Sequence, residues 1–182
     1  MNANQLEIAK FNLTLAVEWV KYADTKATFF MATAVAMLGV SLTEVPLATN
    51  VVKWLFNTNW GIGAWAIIVA HAVFYAAIVY SGWLFLTVVR PALIAKSEKH
   101  SWFFFQSMAL LSADEFHRFT ETIGDENILS QLHDQIYNNC VVARDKFKTI
   151  QHAFCFLILA CVAAFAAISP VLVLSTFLPV SP

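Results

Sequence analysis

Residues 127–170 read NILSQLHDQIYNNCVVARDKFKTIQHAFCFLILACVAAFAAISP and contain neither Gly nor Pro before Pro170. In the first half a stripe recurs every three or four positions, which is typical of a helix with one buried face. It comprises Leu129, Leu132, Ile136, Asn139, Ala143, Phe147, Ile150 and Phe154. After His152, residues 153–178 carry no ionisable side chain except Cys. Since about 20 apolar residues cross a bilayer, we predict one helix that begins in water and ends in the membrane.

The composition indicates an integral membrane protein. Of the 182 residues, 59% are hydrophobic and 13% are charged, whereas soluble domains carry about 25% charged residues. The cysteines Cys140, Cys155 and Cys161 are odd in number, which gives no disulfide framework and predicts buried free thiols. No linker rich in Pro, Gly or Ser divides the chain, so we predict one domain over residues 1–182. Charges within the first 26 residues argue against a cleaved signal peptide.

The first helix is predicted to repeat the design of the last one. Residues 4–26 alternate apolar and polar positions at helical spacing, and the charge-free run 27–43 follows directly. One side carries Leu6, Ala9, Leu13, Ala16, Val17 and Val20, and the stripe is widened by Phe11, Leu15, Trp19 and Tyr22. We therefore predict an amphipathic helix that continues into the membrane. A helix that lies flat on the bilayer surface is the alternative.

The apolar runs predict three membrane spans, over residues 27–48, 62–89 and 153–175. Glu44, Pro46 and Asn50 are expected to end the first span, before an external loop over 49–61. Pro91 is expected to kink or end the second span, because proline cannot donate a helical hydrogen bond. The remaining segments are a helix over 1–26, a helical sensor region over 90–152 and a tail over 176–182.

The basic residues predict the orientation in the membrane. Residues 1–26 and 90–152 hold all but one of the 11 Lys and Arg residues, and the exception is Lys53 in the 49–61 loop. By the positive-inside rule, we expect these two segments to be cytosolic and the C-terminus to be external. The predicted fold class is an all-α integral membrane protein with three transmembrane helices and a cytosolic helical extension. Two of the spans are predicted to be continuous with long amphipathic cytosolic helices.

The sequence contains no recognisable catalytic or metal-binding motif. It has no HExxH, no CxxC and no phosphate-binding loop, so we expect neither an enzyme nor a resident metal or cofactor. His71 lies within the second span, where polar residues are costly and often functional. A structural hydrogen bond and a functional role are both open for it. The spans contain no Asp, Glu, Lys or Arg besides Glu44 at an edge, which argues against a coupled transporter.

The predicted cytosolic segments contain groups of the kinds that bind a small nucleotide. Basic side chains hold phosphate, aromatic rings stack on bases and amide or carboxylate groups read base edges. These groups are Lys26, Arg90, Arg144, Lys146 and Lys148; Phe103, Phe104, Phe105 and Tyr137; and Asp24, Asp134, Gln135, Asn138 and Asn139. The same residues equally fit lipid headgroup contacts and a packed core.

Four stretches of the chain resemble the transmembrane effectors of the Pycsar antiphage systems. The stretch WVKYADTKA over 19–27 resembles the ADxKA signature of that family. Arg90-Pro91 followed by WFFFQSMA over 102–109 is similar to its aromatic FFxxIA element, although Gln106-Ser107 stands in place of the usual Gly-Asp. Residues 132–150 are similar to the run that leads into the last span, with Asn139-Cys140 at the usual small hydroxyl position. The resemblance covers nearly the whole chain in order.

This resemblance implies a bacterial effector of the inner membrane. A partner cyclase would make cyclic CMP or cyclic UMP, the cytosolic region would bind it, and the spans, as a homo-oligomer, would breach the bilayer and arrest growth. No nucleic acid polymer is expected as a partner. The expected roles are phosphate contact for Lys146 and Arg144, base stacking for Phe104 or Phe105, edge reading for Gln135, and coupling at the membrane edge for Asp24 and Lys26. The alternative is a structural or assembly membrane protein whose cytosolic helices dock a partner protein.

Overall fold

The computed structural model describes residues 3–90, 112–121 and 125–176. They form four α-helices: α1 (Ala3–Asn57), α2 (Gly61–Val89), α3 (Ala113–Glu121) and α4 (Asp125–Ser175). No strand occurs within the described ranges. Three of the helices, α1, α2 and α4, contain stretches that are long and apolar enough to cross a membrane. The predicted all-α class with three potential spans is therefore confirmed.

The chain divides into two compact units. The polar unit consists of Met1–Thr25 and Arg90–Lys148, and the apolar unit consists of Lys26–Val89 and Thr149–Pro182. Helices α1 and α4 each begin in the polar unit and end in the apolar unit. The apolar unit thus contains all three of the apolar segments that the sequence predicted as spans.

Small residues at seven-residue intervals form the buried sides of α1 and α4. In α1 they are Ala9, Ala16 and Ala23 in the polar unit, and Ala27, Ala34, Ser41 and Ala48 in the apolar unit. In α4 they are Ala153, Ala160 and Ala167. Helices in lipid gain little from the hydrophobic effect, and they associate instead through close backbone packing at such small residues.

The middle of the apolar unit is held by aromatic packing and by one hydrogen bond between helices. The ring of Phe30 lies 5.7 Å from that of Phe85 and 5.2 Å from that of Phe154, measured between ring centroids. The fully buried Ser81 hydroxyl donates to the carbonyl oxygen of Ala153 at 2.8 Å and so joins α2 to α4. A polar bond of this kind is favourable in a membrane interior because water cannot replace it.

The buried stripe of α4 follows the sequence prediction up to Ile150 and then shifts by one residue. Ala153, rather than Phe154, is buried, so the prediction for Phe154 is wrong. The small Ala153 lies where α2 approaches, and the larger Phe154 ring points outward beside Phe30. The cysteines are free but exposed, so their predicted burial is also wrong.

Helix α1 continues beyond its predicted end. The expected loop over residues 49–61 is wrong, because α1 includes Pro46 and ends at Asn57. Its last turns stay helical because Val51 and Leu55 are buried in an apolar cluster with Ile67 and Val171, and this packing offsets the hydrogen bond that Pro46 cannot make.

The actual connection between α1 and α2 is a tight turn over Thr58, Asn59 and Trp60. Asn59 adopts a left-handed conformation with φ of 62°. The Trp60 amide donates to the Leu55 carbonyl oxygen at 2.9 Å. This arrangement is the Schellman motif, and asparagine is one of the few residues that adopts the required conformation at low cost.

Helix α3 begins with a capping box. The Ser112 backbone amide donates to the Glu115 carboxylate at 2.8 Å, and the Glu115 amide donates to the Ser112 hydroxyl oxygen at 3.3 Å. The Ser112 hydroxyl also donates to the same carboxylate at 2.7 Å. These hydrogen bonds, with a smaller contribution from Arg118, hold the pKa of Glu115 below its usual range. The reciprocal bonds satisfy amides that would otherwise lack partners at the helix start.

Candidate functional site

An ion pair joins α1 to α4 inside the polar unit. The Lys146 ammonium group donates to the carboxylate of Asp24, a residue 122 positions away in the chain. Only 12% of the Lys146 side chain is exposed, whereas 37% of the Asp24 side chain is exposed. The cation is thus nearly buried, and its counter-charge is reached by solvent on one side.

The neighbouring residues explain how a lysine comes to lie at this depth. Ala23 next to Asp24 is fully buried, and Ala143 one turn before Lys146 is nearly so. Their small side chains allow the two helices to approach closely. The four-carbon stem of Lys146 can then be covered while its ammonium group reaches the Asp24 carboxylate.

Lys146 shares one face of α4 with two carboxamides. Gln135, Asn139 and Lys146 are separated by four and seven residues, which places them on the same side of a helix, and all three are half-buried. Gln135 and Lys146 are separated by eleven residues, or about 16 Å along the helix axis. The structure therefore brings two predicted ligand residues, Lys146 and Gln135, onto one polar face, at opposite ends of it.

Arg144 does not lie on this face. Two residues before Lys146, it points about 200° away around the helix. Its guanidinium group donates to Asp145 at 3.1 and 3.2 Å, and both side chains are mostly exposed. The structure thus separates Arg144 from Lys146, and a single phosphate would not contact both side chains on this helix.

The remaining predicted site residues are Asp24, Lys26, Phe104 and Phe105. Asp24 pairs with Lys146, and the helical neighbour Lys26 belongs to the apolar unit. Residues two positions apart on a helix do not face one another, which agrees with Asp24 pairing across helices. Phe104 and Phe105, the predicted stacking residues, lie outside the described ranges.

An aromatic cluster that the sequence did not single out lies near the ion pair. Trp19, Tyr22 and Phe147 have ring centroids 6.2 to 6.3 Å apart. Phe147 follows Lys146 directly and so points about 100° away around α4. The cluster and the ion pair therefore lie on different sides of α4. The sequence could have indicated part of this cluster, because Trp19 and Tyr22 both occur in the WVKYADTKA stretch.

The intramembrane histidine has a local hydrogen bond. The Nδ1 atom of His71 donates to the Ile67 carbonyl oxygen at 2.9 Å, within the same helix. Such a bond satisfies one polar atom without a partner from another helix. Among the residues that the structure describes, no group of three or more His, Cys, Asp or Glu side chains could hold a metal ion.

The fold and the polar unit define the class of protein. It is a helical membrane protein with three apolar segments and a polar unit that contains an ion pair between two helices. Residues 8–173 match the family model PycTM, the Pycsar effector protein domain. The chain belongs to this family of antiphage defence effectors. No curated protein and no solved structure matches it.

Proposed function

We propose that this Pycsar effector binds a cyclic pyrimidine nucleotide, cyclic CMP or cyclic UMP, and then disrupts the bacterial inner membrane. The observation that carries the proposal is the family match over residues 8–173. A partner cyclase would supply the nucleotide on infection, and breach of the membrane would arrest growth. The polar unit, on the cytosolic side with the N-terminus, would be the receptor.

The polar face of α4 supports nucleotide binding. Lys146 is a nearly buried cation, and a cation at such a site binds a phosphate more strongly than one in bulk water, because the local dielectric constant is lower. Asn139 and Gln135 offer amide donors and acceptors along the same face, and such groups can read the edge of a base. We place the cyclic phosphate at Lys146 and the base toward Asn139. We propose that this face binds the nucleotide without catalysis.

Membrane disruption would require several copies. Three helices enclose little space, so self-association would supply further walls. Ile8, Phe11 and Trp19 are apolar but remain exposed on α1, with 63% of Phe11 in contact with solvent. Exposed apolar patches of this kind mark interaction surfaces. They support a homo-oligomer as well as the alternative, a structural protein that docks a partner.

Calorimetry on the purified protein in detergent tests the proposal. Cyclic CMP and cyclic UMP are titrated against the wild type, with cyclic AMP and cyclic GMP as controls. We expect one pyrimidine nucleotide to bind, and Lys146→Ala to abolish this binding while the protein still inserts into membranes. Lys148→Ala is the matched control, because it removes the same charge from an exposed position on the same helix.

Two results would contradict the proposal. If the folded wild type binds none of the four nucleotides, the signalling function is wrong and docking of a partner protein becomes the better explanation. If a pyrimidine nucleotide binds equally well to the wild type and to Lys146→Ala, the function stands but the phosphate site lies elsewhere.

A further inference from the structure

We propose that Asp24 occupies the anion site of the polar unit in the resting protein, and that the incoming nucleotide phosphate displaces it from Lys146. This inference rests on the proposed function for the identity of the ligand. It adds a mechanism of control: the resident carboxylate keeps α1 tied to α4, and an exchange of anions at one lysine releases that tie.

Lys146 requires an anion in both states. With only 12% of its side chain exposed, an ammonium group without a counter-charge would lose most of its hydration and gain nothing in return. Asp24 therefore leaves only when another anion takes its place. A cyclic phosphodiester carries one negative charge and two free oxygens, so it matches a carboxylate in charge and in hydrogen-bonding capacity.

Asp24 is the member of the pair that can leave. More than a third of its side chain is already exposed, so water can hydrate the carboxylate as it leaves Lys146. Lys146 remains in place, because only 12% of its side chain is exposed. The exchange thus moves the α1 side chain and leaves α4 holding the ligand.

The exchange changes what holds the two helices together. In the resting state the ion pair connects α1 and α4 directly, and both helices continue into the apolar unit. In the bound state Lys146 contacts the ligand, and α1 no longer contributes to this bond. Because the ligand binds only the arrangement without the ion pair, its binding shifts the population toward that arrangement. The competition also lowers the apparent affinity of the wild type.

Dye release from proteoliposomes that contain variants of the ion pair tests this inference. The first readout, dye release without nucleotide, does not depend on the identity of the ligand. Asp24→Asn is expected to release dye without nucleotide, at a rate close to that of the wild type with saturating cyclic CMP or cyclic UMP. It is also expected to bind the nucleotide at least tenfold more tightly. Glu18→Gln is the matched control, because it removes the same charge from an exposed position on α1, and it should behave like the wild type.

The charge-reversed double variant Asp24→Lys with Lys146→Asp separates the effects of the pair from effects on folding. It recreates an ion pair between the same positions. We therefore expect a protein that releases no dye, with or without nucleotide. Asp24→Lys alone should leak. If the double variant leaks like the single one, the pair does not hold the resting state and the inference is wrong.

The outcomes also separate this inference from the proposed ligand. In one outcome the wild type releases dye with nucleotide, whereas the folded Asp24→Asn variant releases none without it and binds the nucleotide with unchanged affinity. This outcome refutes the displacement of Asp24 but leaves the proposed function in place. In another outcome Asp24→Asn releases dye, the double variant does not, and the wild type releases none with either nucleotide. This outcome supports the role of the ion pair in the resting state and refutes the proposed identity of the ligand.

Discussion

Replacing Asp24 by Asn is expected to destabilise the polar unit more than replacing Lys146 by Met, although each change removes the same ion pair. Asp24→Asn keeps a hydrogen-bond acceptor but leaves the charge of Lys146, whose side chain is only 12% exposed, without its counter-charge. Lys146→Met keeps the apolar stem and leaves the carboxylate of Asp24, whose side chain is 37% exposed and can be hydrated. The cost of each change therefore depends on which charge is left behind.

The magnitudes follow from these exposures. Removing one partner of a fully buried pair costs about 3–5 kcal/mol, and partial exposure with salt screening reduces this to about 1–2 kcal/mol for Asp24→Asn. For Lys146→Met we expect less than about 1 kcal/mol, as for an exposed pair. In a chain of this size, 1 kcal/mol corresponds to about 2–4 °C in Tm.

Thermal unfolding of the detergent-solubilised variants, at low and at high salt, measures both effects. We expect Asp24→Asn to lower Tm by about 2–8 °C and Lys146→Met to lower it by less. The gap between the variants should narrow at high salt, because mobile ions partly replace the lost counter-charge. An equal or larger loss for Lys146→Met would show that the lysine stem, and not the buried charge, determines the stability of this contact.

Three further predictions concern the framework around the site. Ser81→Ala removes the hydrogen bond to the Ala153 carbonyl oxygen and should cost about 0.6–1.7 kcal/mol, measured as a lower Tm. Ala34→Leu places a larger side chain in a buried position and should cost about 1–3 kcal/mol by the same measurement. Ser112→Ala removes the strongest cause of the lowered Glu115 pKa, so a carboxyl titration by NMR should show that pKa rising toward its usual value.

Two of these predictions have a matched control and a result that would contradict them. Val35→Leu changes an exposed neighbour of Ala34, and a comparable loss there would show that burial is not the cause. Thr43→Ala removes a hydroxyl that bonds only within α1; a loss equal to that of Ser81→Ala would argue against a special role for the bond between helices.

The capping box also predicts a dependence of α3 on pH. Because the folded pKa of Glu115 is lowered, its stabilising effect is complete above the ordinary pKa of a glutamate and is lost as the pH falls through the lowered value. The protection factors of the α3 amides, which are exchange rates corrected for the intrinsic effect of pH, should therefore fall on acidification. If acidification lowers the protection factors in Ser112→Ala as much as in the wild type, the capping box is not responsible.

The predicted cytosolic residues illustrate how far sequence reasoning reached at the site. Helical spacing alone places Gln135 and Lys146 on one face of α4 and Arg144 on another. It does not reveal which side chain of α1 lies opposite Lys146. Asp24 and Lys146 were both singled out, but as parts of different groups, because a separation of 122 residues leaves no local pattern that pairs them.

Sequence by itself determined the elements of this protein, whereas the tertiary structure determined their ends and partners. Charge-free runs are long enough to cross a bilayer only as helices, and the second run forms α2, which ends at Val89 as expected. The extension of α1 past Pro46 was decided by packing of Val51 and Leu55. The burial of Lys146 was also determined by tertiary packing, because it depends on how closely α1 and α4 approach one another. The periodicity within either helix contains no information on that distance.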